Sequence, residues 1–241
     1  MKKSERHLMK LDELVTVFEK STFYIEHHAR KIALVAGGVV LVAIAGFAWR
    51  SSMAAREEKA SFLLGQIVET HRAPVAASLE SLQQAAPGTK TYTTEEERDR
   101  KILELADELL SQYASSRSAP KALYYKGLAF SGMKQPEEAA KVLQDLVTRH
   151  PGDFLAPMAR YQLGRLREQQ GNAAEALMQY QALAEDAQGF FPKEEGLMGV
   201  ARCQEALGRK DEAIRTYRRI VSDFPESDYQ FEARQKIEEL S

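Results

Sequence analysis

The residues of this chain that could do chemistry are few and scattered. The single cysteine, Cys203, has no histidine at a useful spacing in its predicted helix, so a buried packing role is favoured over a nucleophile. His27 and His28 are adjacent and would point in different directions on a helix, with no third ligand at a useful spacing. Three acidic runs fall in first turns of predicted helices, where they complement the positive helix end: 95–97, 137–138 and 194–195. We therefore predict no enzyme, no cofactor and no metal site.

Composition limits the class of protein further. The chain has 241 residues, 28% of them charged, and a net charge of −2. This near-neutral balance argues against nucleic acid as a partner, because nucleic acid requires a strongly basic face. A single cysteine forms no internal disulfide, and no cysteine stands immediately after the apolar stretch described next, which excludes a bacterial lipoprotein.

One stretch, 32–49, contains no charged side chain. As a helix it would extend about 27 Å at ~1.5 Å per residue, which is enough to cross the hydrocarbon core of a bilayer. Arg30 and Lys31 flank one edge and Arg50 the other, and Trp49 falls where an amphipathic ring prefers the headgroups. A cleaved signal peptide would start closer to the N-terminus. We predict a retained transmembrane helix.

The flanking segments suggest an orientation for this span. Residues 1–31 form a short tail, in part an amphipathic helix, whose basic residues favour the cytoplasmic side. Residues 50–92 read as a helical stalk or linker that continues the span, is interrupted at Pro74 and includes a short helix over 76–86. The predicted protein is single-pass in a bacterial inner membrane, with its N-terminus cytoplasmic and its C-terminal domain periplasmic.

The segment 93–241 repeats with a period of 37 residues. Three alanines at that spacing each follow a glutamate: Ala139, Ala176 and Ala213. Twelve residues earlier stand small residues that let two helices cross closely: Gly127, Gly164 and Ala201. Aromatic or aliphatic residues four positions after each alanine would fill the space between units: Leu143, Tyr180 and Tyr217. The pattern predicts an all-α solenoid of helical hairpins at about 116–152, 153–189 and 190–226, followed by a capping helix over 227–240. Before them, Thr94 and Glu97 form a capping box for a helix running to Tyr113.

These residues resemble the tetratricopeptide repeat, although the period exceeds that family's usual 34. The resemblance implies a protein-binding solenoid whose concave inner face is lined by the first helix of each unit. The layout as a whole, a short tail, a span ending in Gly46–Arg50, a stalk and a repeat domain, resembles the YfgM-like family of ancillary SecYEG translocon subunits. That second resemblance implies partners among translocon subunits, secreted clients or envelope proteins.

The repeat register selects eight candidate partner-binding residues on this inner face. They combine aromatic, apolar, thioether and charged groups suited to an extended peptide: Tyr124, Leu128, Tyr161, Arg165, Glu168, Met198, Arg202 and Glu205. In the alternative interpretation, Tyr124 and Tyr161 pack between helices and the charged residues form i,i+3 pairs within each helix.

Two functions remain open on the sequence. The chain would bind client polypeptides near the Sec translocon, in a chaperone or ancillary role. Alternatively, it would be a structural scaffold of an envelope complex, in division or outer-membrane assembly, without touching clients.

Overall fold

The computed structural model describes the backbone of residues 3–75, 90–186, 189 and 191–241, and within them all side chains except those of 3–29, 32 and 36. This part of the chain is helical apart from one isolated bridge between Val75 and Tyr92. The all-α prediction is confirmed. The helices are α1 Lys3–Arg72, α2 Glu95–Tyr113, α3 Ala119–Gly132, α4 Pro136–Arg149, α5 Leu155–Gln169, α6 Ala173–Ala184, α7 Lys193–Ala206, α8 Lys210–Asp223 and α9 Gln230–Leu240.

The chain divides into two compact units, Met1–Ala55 and Arg56–Ser241. The first unit contains the apolar stretch, which lies within α1. Among the described residues, α1 is the helix long and apolar enough to cross a membrane, with a window of mean hydropathy 1.9 of which nothing is buried. Large apolar side chains such as Leu34 and Trp49 are exposed at 73% and 70%. By length and composition, α1 therefore supplies a candidate membrane span.

The second unit begins earlier than the sequence predicted. From Arg56 onward, α1 packs against α2, so that Leu64 and Ile67 share one apolar cluster with Ile102 and Leu109. These residues therefore form the first helix of an additional hairpin, within the 50–92 stretch that was predicted as a helical stalk or linker. The helix predicted over 76–86 lies outside the described residues.

Helix α2 begins where the capping box predicted. The hydroxyl of Thr94 accepts a hydrogen bond from the Glu97 amide at 3.1 Å, and the Glu97 carboxylate accepts one from the Thr93 amide at 3.1 Å. These bonds satisfy backbone donors that the first turn of a helix leaves free. Helix α2 ends at Tyr113, as predicted.

Three further hairpins follow: α3–α4, α5–α6 and α7–α8. The turn within each hairpin contains one residue with positive φ, and the three are 37 residues apart. Two are the glycines Gly171 (φ 74°) and Gly208 (φ 71°), whereas the third is Lys134 (φ 58°). The left-handed conformation favours glycine, so Lys134 carries local strain.

The small residues predicted at the helix crossings are required by the packing. A Cβ atom on Gly127 would lie 2.6 Å from the Leu143 side chain, and one on Gly164 would lie 2.7 Å from the Tyr180 ring. The end of that ring nearer the backbone lies against Gly199 of the next hairpin, where a Cβ would clash with Cγ. Tyr180 is completely buried, so it fills the space between two units as predicted.

Neighbouring hairpins pack mainly through the second helix of one and the first helix of the next, α4 against α5 and α6 against α7. A smaller contact joins their first helices, α3 to α5 and α5 to α7. Between successive second helices lie grooves of about 670 Å³ at α2 and α4, 610 Å³ at α4 and α6, and 360 Å³ at α6 and α8. The first-helix side is therefore the more closely packed side of the stack, as expected for the inside of a tetratricopeptide solenoid.

Candidate functional site

All eight predicted partner-binding residues lie on the first helices α3, α5 and α7, and seven of them reach one surface that we call the inner face. Arg165 is exposed on it. Six others are half-buried: Tyr124, Leu128, Tyr161, Glu168, Arg202 and Glu205. The structure thus brings seven of the eight to a common surface, with charged and aromatic groups side by side.

Met198 is the exception and has to be corrected. Its side chain is fully buried in an apolar cluster with Leu197, Tyr217 and Ala233 of the terminal helix α9. Tyr124 and Tyr161 stand at the equivalent positions of the earlier hairpins, but their longer rings carry the hydroxyl out to the surface. The Met198 side chain is covered by α9 and does not reach the surface, so Met198 stabilises the core.

Glu168 is the centre of the most extensive polar network on the inner face. Its Oε2 accepts a hydrogen bond of 2.5 Å from the hydroxyl of Tyr180, on the second helix of the same hairpin. Its two oxygens also accept from Nε and Nη2 of Arg202 at 3.1 Å each, in the bidentate geometry that makes such pairs strong. Arg202 belongs to the next hairpin, so Glu168 joins two units.

The next unit repeats this arrangement. Glu205, 37 residues after Glu168, accepts a hydrogen bond of 2.5 Å from the hydroxyl of Tyr217. Lys236 of α9 takes the place of the guanidinium, with its Nζ 3.6 Å from Glu205 Oε2. Glu168 and Glu205 therefore each connect two successive elements of the stack. In the alternative interpretation of the sequence, Arg202 would pair with Glu205 on its own helix, and this is wrong because Arg202 binds Glu168.

Burial and these partners fix the protonation states of the network. Burial and the hydrogen bond to Glu168 both raise the pKa of Tyr180, and the same causes, with Glu205, raise that of Tyr217. Burial alone would lower the pKa of Arg202, but the hydrogen bonds and charge of Glu168 outweigh it and raise it. The phenols therefore stay neutral donors and the guanidinium stays charged near neutral pH.

A second cluster on the inner face surrounds Tyr161. Its ring centroid lies 5.1 Å from that of Phe191, and the Arg165 guanidinium carbon lies 6.0 Å above the ring. Burial and the carboxylate of Glu195 raise the pKa of Tyr161 to about 12, and the same carboxylate acts on Tyr229 of α9. Glu195 was not among the predicted residues, although its first-turn position on α7 was noted as a helix-end feature.

Cys203, next to Arg202 in the chain, does not supply a reactive thiol. Cys203 is 1% exposed, and burial, followed by the charge of Glu168, raises the pKa of its thiol to about 12, so the thiol stays protonated. Within the described residues, no group of three or more His, Cys, Asp or Glu side chains could hold a metal ion. What the inner face offers is hydrogen-bonding groups, one exposed guanidinium and aromatic edges.

Several solved structures are similar to this chain. Nearly identical TPR-like repeats attributed to a kinesin light chain of Podosopora anserina align with a TM-score of 0.49 and 14% identity, over 59% of this chain and 77% of that one. A double mutant of MamA from RS-1 aligns with a TM-score of 0.45 and 18% identity, over 59% of this chain and 85% of that one. No curated protein sequence matches the chain.

The family is shown by the sequence itself. A family model described as a tetratricopeptide repeat-like domain matches residues 23–241, which include the additional hairpin found in the structure. Repeat domains of this kind are typically protein-interaction folds without enzymatic activity. The chain belongs to the tetratricopeptide repeat-like domain family.

Proposed function

We propose that this protein is a membrane-anchored interaction module whose inner face binds segments of other polypeptides. The observation that carries the proposal is the composition of that face, where Tyr124, Tyr161 and Arg165 stand accessible beside the paired charges of Glu168 and Arg202. Aromatic and guanidinium groups are the side chains that protein-binding surfaces favour. An extended segment would lie across α3, α5 and α7, in contact with one first helix after another.

The paired charges contribute by holding the surface in place before a partner arrives. Glu168 joins the first helices of two hairpins, and Glu205 joins α7 to α9. A preorganised surface loses less conformational entropy on binding, so more of the contact energy appears as affinity. No cofactor is needed for this mode of binding.

The apolar part of α1 supplies the anchor in this proposal. We place the membrane span at 32–49, with the N-terminus in the cytoplasm and the repeats outside a bacterial inner membrane. Tethering raises the local concentration of the inner face at the membrane surface. The resemblance to the YfgM-like family supports a location near the Sec translocon, where the inner face would receive secreted clients.

Orientation is tested by protease protection in spheroplasts. External protease should remove the repeat domain while the span and tail stay protected. A repeat domain that survives until the membrane is broken would contradict the periplasmic location and the translocon role together.

Client binding is tested by photo-crosslinking from the inner face. A photoreactive residue would replace Met158, which is 38% exposed on α5, and the control would replace Met178, which is 60% exposed on α6. Varied secreted chains should crosslink to position 158 and not to position 178. One fixed protein in equal amount at position 158 would favour the scaffold alternative, whereas equal crosslinking from both positions would contradict the inner-face assignment.

A further inference from the structure

Of the three hairpins predicted from the repeat, α5–α6 and α7–α8 contain the inner-face network. It is missing in α3–α4, which we call the first hairpin. Glu168 and Glu205 connect successive elements, but the position 37 residues earlier is Ser131. The tyrosines that donate to those glutamates are likewise replaced by Leu143 in the first hairpin. Both replacements are shorter, and neither carries a charge.

Arg165 is the residue that loses its partner through this change. It is the counterpart of Arg202, which binds Glu168 of the preceding hairpin through Nε and Nη2. The residue that matches Glu168 in the preceding hairpin is Ser131, whose hydroxyl donates to the Gly127 carbonyl at 3.1 Å. No carboxylate among the described side chains lies within ion-pair distance of Arg165. Its guanidinium lies over the ring of Tyr161.

The acidic groups that share this face are already engaged. Glu168 binds Tyr180 and Arg202, and Glu195 acts on the phenols of Tyr161 and Tyr229. Arg165 therefore presents an exposed guanidinium to which no carboxylate among the described side chains is directly bound, on a surface whose other bidentate site is filled by a carboxylate.

We propose that Arg165 binds an aspartate or glutamate side chain of the partner polypeptide, at the place that Glu168 occupies for Arg202. This inference rests on the proposed function, because it names the chemistry that the inner face selects. The partner segment supplies from outside the carboxylate that the first hairpin lacks. Leu128, half-buried one turn before Ser131, gives the same segment an apolar contact.

Two properties follow from this geometry. A guanidinium that binds a carboxylate through two donors is not replaced by lysine, which offers a single point charge. Because Arg165 is exposed, the interaction is screened, and affinity should fall as salt rises from 0.05 to 0.5 M, a range over which the Debye length shortens to roughly a third.

The test uses the full-length protein in detergent micelles and a phage library of random linear peptides. Each displayed peptide is fused at its C-terminus, so every carboxylate it offers is a side chain. Selected peptides should share an aspartate or glutamate at one position. As amidated synthetic peptides, they should lose about tenfold in affinity when that residue becomes its amide, as expected for one charge-assisted hydrogen-bonded pair.

Three variants of the protein complete the design. Arg165→Gln should weaken binding by about tenfold, with no further loss when the peptide's acid is also replaced, because the two groups act as a pair. Ser131→Glu should weaken binding similarly by supplying an internal carboxylate. Arg215→Gln, at an exposed arginine on α8 away from the inner face, should leave affinity within about twofold.

The outcomes separate this inference from the function on which it rests. Peptides that crosslink from position 158 but carry no shared acid, or that bind Arg165→Gln as well as wild type, would overturn the carboxylate assignment and leave the proposed function standing. A library that yields no binder to the inner face would contradict both. Arg165→Gln alters an exposed side chain, so its circular dichroism should match wild type and its result stands even if Ser131→Glu fails to fold.

Discussion

Replacing Gly164 with alanine should destabilise the repeat domain, although alanine is the better helix former. In an open helix the change gains about 1 kcal/mol. Here the new Cβ would lie 2.7 Å from Cε1 and Cζ of Tyr180, roughly 1 Å inside an ordinary carbon contact of ~3.5–4.0 Å. The ring cannot shift away from the new methyl group, because Gly199 also lies against it and its hydroxyl donates a hydrogen bond to Glu168.

The magnitude follows from these opposing effects. Overpacking costs about 1–3 kcal/mol, and a weakened hydrogen bond to a charged acceptor costs about 1.5–3 kcal/mol. After the helix-propensity gain is subtracted, we expect Gly164→Ala to lower the free energy of unfolding by about 2 kcal/mol. For a domain of this size that corresponds to a fall in Tm of about 4–8 °C.

Thermal unfolding of the full chain in detergent micelles, followed by circular dichroism at 222 nm, would measure this shift. The matched control is Gly65→Ala in α1, where a new Cβ meets no heavy atom within 4 Å. That variant should gain about 1 kcal/mol, or about 2–4 °C. If Gly164→Ala melts at or above the wild-type temperature, Tyr180 is not confined as the packing implies, and the reasoning is wrong.

Three further results are expected. Lys134→Gly should raise the Tm by a few degrees in the same assay, because it removes the roughly 1 kcal/mol cost of a side chain at φ 58°; no gain would mean that Lys134 is unstrained. Asp99→Asn should raise the Tm at pH 7, because burial raises the folded-state pKa of Asp99 and wild-type stability therefore falls as pH rises through that pKa. At or below about pH 4 the Tm values of variant and wild type should converge. A Tm difference that is independent of pH would refute this cause. Cys203 should react with a disulfide reagent at neutral pH only after unfolding, since its thiol is buried with a pKa of about 12; rapid labelling of the native protein would contradict this burial.

Much of the fold is predictable from the sequence because the packing repeats with it. Gly127 and Gly164 are small for the reason that their spacing suggested, since each faces a large side chain of its partner helix. The additional hairpin escaped prediction because a long connection separates its two helices and breaks the 37-residue spacing. Ile102 and Leu109 kept that spacing, 37 residues before Ala139 and Leu146, and were the available signal.

The candidate site is less predictable because it depends on how hairpins stack. Arg202 reaches Glu168 across 34 residues and not Glu205 three residues away, which only the offset between neighbouring first helices decides. Met198 follows the spacing of Tyr124 and Tyr161 but is covered by α9, whose docking the repeat spacing does not specify.

The joints between successive hairpins are held by different contacts, because the α3–α4 hairpin has Ser131 at the position of Glu168. A charge-assisted hydrogen bond adds geometric specificity to a joint, whereas apolar burial is non-directional. The joint between α5–α6 and α7–α8 is fixed across the inner face by Glu168. The preceding joint is held at its turn end, where Gln170 Nε2 donates to Glu137 at 2.8 Å and Arg167 forms an ion pair with the same carboxylate at 3.4 Å. Across the inner face this joint has the hydrogen bond between Tyr124 and Gln162 but, among the described residues, no ion pair of Arg165. A ligand carboxylate at Arg165 would therefore add to this joint the charged contact that Glu168 makes in the next one.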